Sequence, residues 1–289
     1  MDPRTPDGRD PAEAWTRGVQ LGALGRYAEA WAVLGVPVPR TDPGRDGPDL
    51  SAAGATVTTS PRGSLLVSAA ASLHRQLGRH GSARELDAHA LDMVALTATS
   101  ATAPADPDWT EAVLDATLGL AADAIGHADV DTATRWLDDA ARLLAEAGES
   151  HPWRAPIRLH WVRAELALLC DRHEEAQTAA ASALTLSERA ASTRHLAKSR
   201  LILGVARSAT DPIAAATSLR SSLALSVPAG WRPLQWPAYL VLADLEADLR
   251  YLSAAGLVIR SIAADTPTPI AAQWLERSEV RRCLAAPDV

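Results

Sequence analysis

Phenylalanine and asparagine are absent from this chain of 289 residues, lysine occurs once, at Lys198, and cysteine twice, at Cys170 and Cys283. Two isolated cysteines make neither a disulfide framework nor a zinc spacing, so reduced thiols in a cytoplasmic protein are the expectation. Basic residues are outnumbered, 28 against 35 acidic, and a net charge of −7 argues against a general nucleic-acid binder, which carries a basic excess. No apolar run approaches the ~20 residues of a membrane span, and the start, Met1 to Asp7, lacks the apolar core of a secretory signal. Strand signals are almost missing as well, which leaves an all-α fold. The lack of Phe shifts aromatic packing onto nine Trp residues, each a large ring to bury. With Ala at roughly a fifth of the chain, the composition reads as the imprint of a GC-rich, actinobacterial genome.

What is present is a spacing. A small residue is followed by a second one twelve positions later and by a small or aliphatic one seven beyond that. It occurs as Ala71/Ala83/Ala90, Ala121/Ala133/Ala140, Ala164/Ala176/Ala183, Gly204/Ala216/Leu223 and Ala243/Ala255/Ile262. An earlier copy, Gly18/Ala30, has Pro37 at the third position. Antiparallel helices approach closely only where Cβ groups are small or missing, so the spacing predicts a repeated helix–turn–helix unit. Such units stack into a solenoid whose product is a binding surface.

The segments between the small residues carry a resemblance. Leu24-Gly25-Arg26-Tyr27-Ala28-Glu29-Ala30 places Gly, then an aromatic, then Ala at the offsets of the tetratricopeptide inter-helix turn. Ala128 to Ala133, Asp171 to Ala176 and Gly78/His80/Ala83 follow it less closely, and the fifth and sixth copies are degenerate. The chain therefore resembles a tetratricopeptide-like array. From Ala121 the first small residue recurs after 43, 40 and 39 positions, longer than the standard repeat of about 34. That length resembles the helical arrays of MalT-type bacterial regulators. HEAT and armadillo arrays, with periods near 40–47, are a second reading. The resemblance implies a right-handed superhelix of stacked antiparallel helix pairs over residues 11–284, closed by a C-terminal capping helix.

Around that array, residues 1–10 are polar and expected to be loosely ordered, and 285–289 form a tail. Pro/Gly-rich or Thr/Ala/Ser-rich linkers are expected at about 37–63 and 97–107. Helices are predicted near 11–34 as a first pair, 64–96 as a second, then at 109–126, 130–147, 154–170, 173–189, 192–209, 212–226, 234–249, 251–264 and 269–284. Asp108, Pro156, Asp211-Pro212, Pro237 and Thr268-Pro269 punctuate their starts. Leu159, Val162, Leu166 and Leu169 have the spacing of a buried stripe.

The chain offers no catalytic constellation. Glu85 and His89 are too few ligands for a metal site. His127, Asp129 and Asp131 lie in a predicted turn, where acids cap helices. His173-Glu174-Glu175 lacks the second His of a zincin helix, and Asp244, Glu246 and Asp248 read as a solvated helix face. No phosphate loop and no nucleophile elbow occur. No catalytic residue, metal site or cofactor is assigned.

A partner-binding surface remains. The tetratricopeptide resemblance places groove-facing positions on the first helix of each pair, including Trp15, Trp161, Glu165, Leu168 and Leu201. Arg158 and Lys198 occupy equivalent positions on adjacent groove helices, with Arg194 one turn before Lys198. Arg189, Arg194, Lys198, Arg200 and Arg207, joined by Arg154 and Arg158, make a basic patch on an acidic protein. Its functional reading is recognition of an acidic or phosphorylated protein or peptide; the alternative is pairing with acids on neighbouring helices. The family's chaperone-type carboxylate clamp, built from Lys and Asn, is excluded by one Lys and no Asn. The expectation is a non-enzymatic cytoplasmic scaffold in a bacterial regulatory pathway. The rival is a sensor that encloses a small molecule or signalling peptide.

Overall fold

The structure is a computed structural model that describes residues 10–36, 57–97, 107–148 and 151–286. The expected N-terminal segment, most of both linkers and the end of the C-terminal tail lie outside the described residues. Among those described there are fourteen α-helices and no strand, so the all-α expectation holds. In chain order they are α1 Pro11–Ala23, α2 Tyr27–Leu34, α3 Pro61–Gln76, α4 His80–Thr97, α5 Pro107–Gly126, α6 Val130–Ala147 and α7 Arg154–Leu169. There follow α8 His173–Arg189, α9 Thr193–Arg207, α10 Pro212–Ser226, α11 Arg232–Glu246, α12 Leu249–Ala264, α13 Thr268–Leu275 and α14 Ser278–Leu284.

The small-residue spacing is a packing device. Ala30, Ala71, Ala83, Ala90, Ala121, Ala133, Ala140, Ala164, Ala176 and Ala183 are buried, as are Ala216, Ala243, Ala255 and Ile262. At the glycine copies the reason is visible. A Cβ on Gly18 would overlap the Leu34 side chain, and one on Gly204 would overlap Leu219 of the facing helix. Helix pairs close up only because those atoms are missing.

The turns share a second device. Five residues before the second small position stand Gly25, Gly78, Ala128 and Asp171, all with positive φ. After three of them the chain doubles back through the same long bond: Arg79 N–H to the His74 carbonyl, Asp129 N–H to Ala124, and Arg172 N–H to Ala167, at 2.8 to 3.0 Å. This is a Schellman cap, which satisfies orphan carbonyls at a helix end. The fifth and sixth copies, degenerate in sequence, lack a left-handed residue at that slot.

Two compact units divide the chain. The first comprises Met1–Gly22 and Tyr27–Ala155, the second Ala23–Arg26 and Pro156–Val289. In the first, α3, α4 and α5 pack on one another and α6 on α5. Trp15, Trp109 and Leu143 lie against a core of Leu65, Val94, Ala112 and Val113. In the second, α7, α8 and α9 meet around Ile157, Trp161, Ala164, Ala176, Ala180, Ile202 and Leu203. A further core of Ala197, Leu201, Leu219, Leu234, Ala238 and Leu242 joins α9, α10 and α11. There Arg232 Nε also donates to the Leu24 carbonyl at 2.5 Å, and Arg232 Nη2 pairs with Asp265 at 2.6 Å.

Several sequence expectations need correction. The final helix is two helices, broken at Glu276-Arg277, with α14 packed on α12; a Cβ on Gly256 would come within 2.8 Å of the Cys283 carbonyl. Pro237 lies inside α11, which starts earlier than expected and ends at a left-handed Ala247. Helix α3 begins at Pro61, where the Ser60 hydroxyl accepts the Gly63 N–H at 3.0 Å. Leu169 is 40% exposed although Leu159, Val162 and Leu166 of its stripe are buried. Of the nine Trp, only Trp31, Trp161 and Trp274 are buried, and of these only Trp31 fully.

Candidate functional site

Within the second unit the predicted groove positions come from α7 and α9. Ala164 and Ala167 of α7 share one core with Leu203 and Ala206 of α9. Trp161 is 6% exposed and so belongs to the core as much as to a surface. Its indole N–H donates to the Ser199 hydroxyl at 2.8 Å. Ser199 Oγ is in turn 2.8 Å from Ser187 Oγ, and Ser187 donates to the Ala183 carbonyl at 2.8 Å. Both serines are buried. This chain of hydroxyls fixes the edge of the ring and leaves its face to α9. The His195 imidazole stacks on it with centroids 5.3 Å apart and 16° between planes. The Lys198 ammonium lies 4.4 Å from the ring centroid. A cation over an indole face is held by the ring quadrupole while keeping its charge.

The other predicted residues fall on the same two helices. Arg158, Glu165 and Leu168 of α7 and Arg194 of α9 are half-buried, and Leu201 is buried against α10 and α11. Repeat register thus brought the sole lysine onto Trp161. It gave no hint of the serine chain behind the ring, because Ser187 sits on a second helix and is twelve residues from Ser199.

Trp15 and Arg154 belong to the first unit. Trp15 is half-buried beneath the Arg154 guanidinium, 4.5 Å from its ring centroid. Arg154 also donates to Glu111 through Nε at 2.9 Å and through Nη2, and reaches Asp115 at 3.3 Å. Burial opposes its charge, but Asp115 and Glu111 outweigh that and raise its hold on the proton. Arg154 is therefore matched by two acids and removed from the basic patch. Pairing also accounts for the acids set aside in the sequence. Asp129 caps α6 by accepting the Thr132 N–H at 3.1 Å, a bond that lowers its pKa. Asp248 caps α12, Glu246 pairs with Arg220, and Asp244 pairs with Arg282.

Sequence reasoning missed a charged cluster in the first unit. Arg75 Nη1 of α3 donates to Asp87 Oδ2 of α4 at 2.7 Å, to Asp123 Oδ2 of α5 at 2.8 Å and to the Gly119 carbonyl at 3.2 Å. Both carboxylates have 0% side-chain exposure. Burial pushes the Asp87 carboxyl up to about 7, Arg75 pulls against it, and Asp123 adds to the push. His80 Nδ1 stands 3.5 Å from Asp123 Oδ1. Nearby His74 is buried against Trp31, with ring centroids 4.9 Å apart, and both its nitrogens lack partners. Burial, with Arg79 and Arg75 adding, lowers it to about 3. The signal that could have exposed this cluster is the glycine pair of α5, Gly119 in its interior and Gly126 at its last position. A Cβ on Gly119 would overlap Asp87, and one on Gly126 the His80 ring. Glycine costs stability inside a helix, so Gly119 in mid-helix marks a close approach.

Among the described residues no group of three His, Cys, Asp or Glu side chains could hold a metal ion. Among them, too, no helix is long and apolar enough to cross a membrane. No protein-family model matches the chain, and no curated protein matches it. Among solved structures the chain is similar to RapI in its apo form, with a TM-score of 0.50 at 9% sequence identity over 96% of this chain and 99% of RapI. At that identity the likeness concerns the fold alone: a helical-repeat architecture built from sequentially packed helices.

Proposed function

We propose that the chain is a non-enzymatic adaptor in a bacterial regulatory pathway. It binds a protein or peptide segment, acidic or phosphorylated, on the first helices of its pairs. The observation that supports this most is the Lys198 ammonium seated on the Trp161 indole, a rigid cation-and-aromatic platform on α7 and α9. Arg158 and Arg194 supply further positive charge on these helices, Leu168 and Leu201 supply apolar contact, and Glu165 sets a limit on how much negative charge is tolerated. Trp15 is a contact on the first unit. The long repeats, which resemble those of MalT-type regulators, support a regulatory role, and the reduced thiols and acidic balance support a cytoplasmic one.

The test is direct. Acidic and phosphorylated peptide libraries are presented to the full chain and to the double variant Arg194→Glu, Lys198→Glu. Capture by the native protein is expected to fall with added salt and to vanish in the variant, with an unchanged melting transition. Undiminished capture by the folded variant removes the cationic platform from the mechanism. A second reading, an enclosed small ligand or signalling peptide, draws on the burial of Trp161. It is favoured if capture fails for every extended peptide while small anions shift Trp fluorescence.

A further inference from the structure

The cluster around Arg75 is short of hydrogen-bond donors, and the shortage can be counted. Arg75 Nη1 carries two hydrogens, yet three oxygens face it: Asp87 Oδ2, Asp123 Oδ2 and the Gly119 carbonyl. The second oxygen of each carboxylate, Asp87 Oδ1 and Asp123 Oδ1, is buried and accepts no hydrogen bond. With both acids ionised, two carboxylates with no exposure to solvent share the one guanidinium of Arg75. Two carboxylates that share a site do not both ionise easily, because each raises the cost of the other's charge. One added proton repairs both faults: it removes the surplus charge and supplies the missing donor.

We propose that Asp87, wedged between Arg75 and the Asp123 carboxylate, holds a proton at neutral pH, and that the α3–α4–α5 junction is a proton-responsive latch, tight with that proton and loosened by its loss.

The site is built for this. Gly119 leaves the space that the Asp87 carboxyl fills. The groups that face Asp87 are named by helix. From α3 come Arg75 and Ser68; the Ser68 hydroxyl has no partner within hydrogen-bond distance, but as a nearby donor it works with Arg75 to lower the Asp87 carboxyl against its burial. From α5 come Asp123 and the Gly119 carbonyl, and from α4 itself His80 stands beyond, beside Asp123. The sign follows from linkage. An acid whose pKa is raised in the folded state binds its proton more tightly there, so its stabilising contribution is full below about pH 4 and is lost as pH rises toward 7. His74 acts in the opposite direction. Its lowered pKa makes acid destabilising between about 6.5 and 3. The two effects offset each other in the native chain, so the informative quantity is the difference made by Asp87→Asn, which keeps the shape, supplies an N–H donor and cannot ionise.

Hydrogen exchange of α3–α5 amides, corrected for intrinsic rates, is compared between Asp87→Asn and the native chain from pH 5 to 8. The native opening equilibrium should exceed that of the variant by a ratio that grows by up to about tenfold per pH unit and levels off above 7. A ratio independent of pH overturns the proposal. Carboxyl-carbon NMR of the native protein decides independently, including the case in which the variant does not fold. The Asp87 carboxyl should titrate near neutrality; a midpoint below pH 5 overturns the latch.

Discussion

The two units bury polar groups of different kinds. In the first, the polar interior holds ions, Arg75 with Asp87 and Asp123, and Arg154 with Glu111 and Asp115, beside buried hydroxyls such as Ser64 and Thr117 that donate to carbonyls. In the second it is neutral. Ser187 and Ser199 hold Trp161, Ser222 donates to the Ala197 carbonyl at 2.8 Å, and Gln235 donates to the Ser226 carbonyl at 2.9 Å. Its ion pairs, such as Arg220 with Glu246 and Arg282 with Asp244, lie toward solvent. The same repeat spacing underlies both, so helix pairing does not dictate which chemistry fills the interior. What differs is the consequence. A buried hydroxyl chain has no charge to lose over the physiological pH range, whereas a buried carboxylate pair does.

The largest effect should come from breaking the ionic interior. Arg75→Ala leaves two buried carboxylates facing each other and should cost about 3–5 kcal/mol at pH 8. The loss should be smaller at pH 5, where Asp87 takes up a proton. Chemical denaturation at the two pH values checks both statements, and equal losses would mean that the cluster is not the ionic core described.

A middle-sized effect should be common to the two units. Ala133 in the first and Ala176 in the second are both buried at the second small position. Replacing either by Leu overpacks a helix contact and should cost roughly 1–3 kcal/mol. Thermal melting of the two variants tests the shared register, and an unchanged midpoint in either would separate that unit from the repeat.

A change of comparable size belongs to the neutral interior. Ser199→Ala removes the acceptor of the Trp161 indole N–H and should cost about 1–3 kcal/mol, the desolvation of one unpaired donor. Unlike Arg75→Ala, its cost should be the same at pH 5 and pH 8. Trp fluorescence should shift as the indole loses its partner, and an unshifted spectrum would show that the serine chain does not fix the ring.

Much of the fold was legible in the sequence because its determinants are local. Helix α6 falls where punctuation placed it, Val130–Ala147, since Asp129 caps its start and Gly148 closes its end. Helix α10 falls on its expected span because Asp211 caps its start ahead of Pro212, and α8 because the left-handed Asp171 ends the helix before it. The expected single C-terminal helix failed because the break at Glu276-Arg277 carries neither Gly nor Pro. Of the candidate site, the approach of Lys198 to Trp161 followed from register: an offset of 40 residues maps Arg158 onto Lys198 and Ala164 onto Gly204.

The sequence by itself determined where helices begin and turn, and that they pack in pairs, because capping, left-handed turn residues and small-residue contacts act within a few turns of chain. Only the tertiary structure decided which charges cancel. Arg154 meets acids roughly 40 residues earlier, and Arg75 meets Asp123 from 48 residues away. Charge has no period along a chain, so its partners are fixed only when helices from different repeats come to lie side by side.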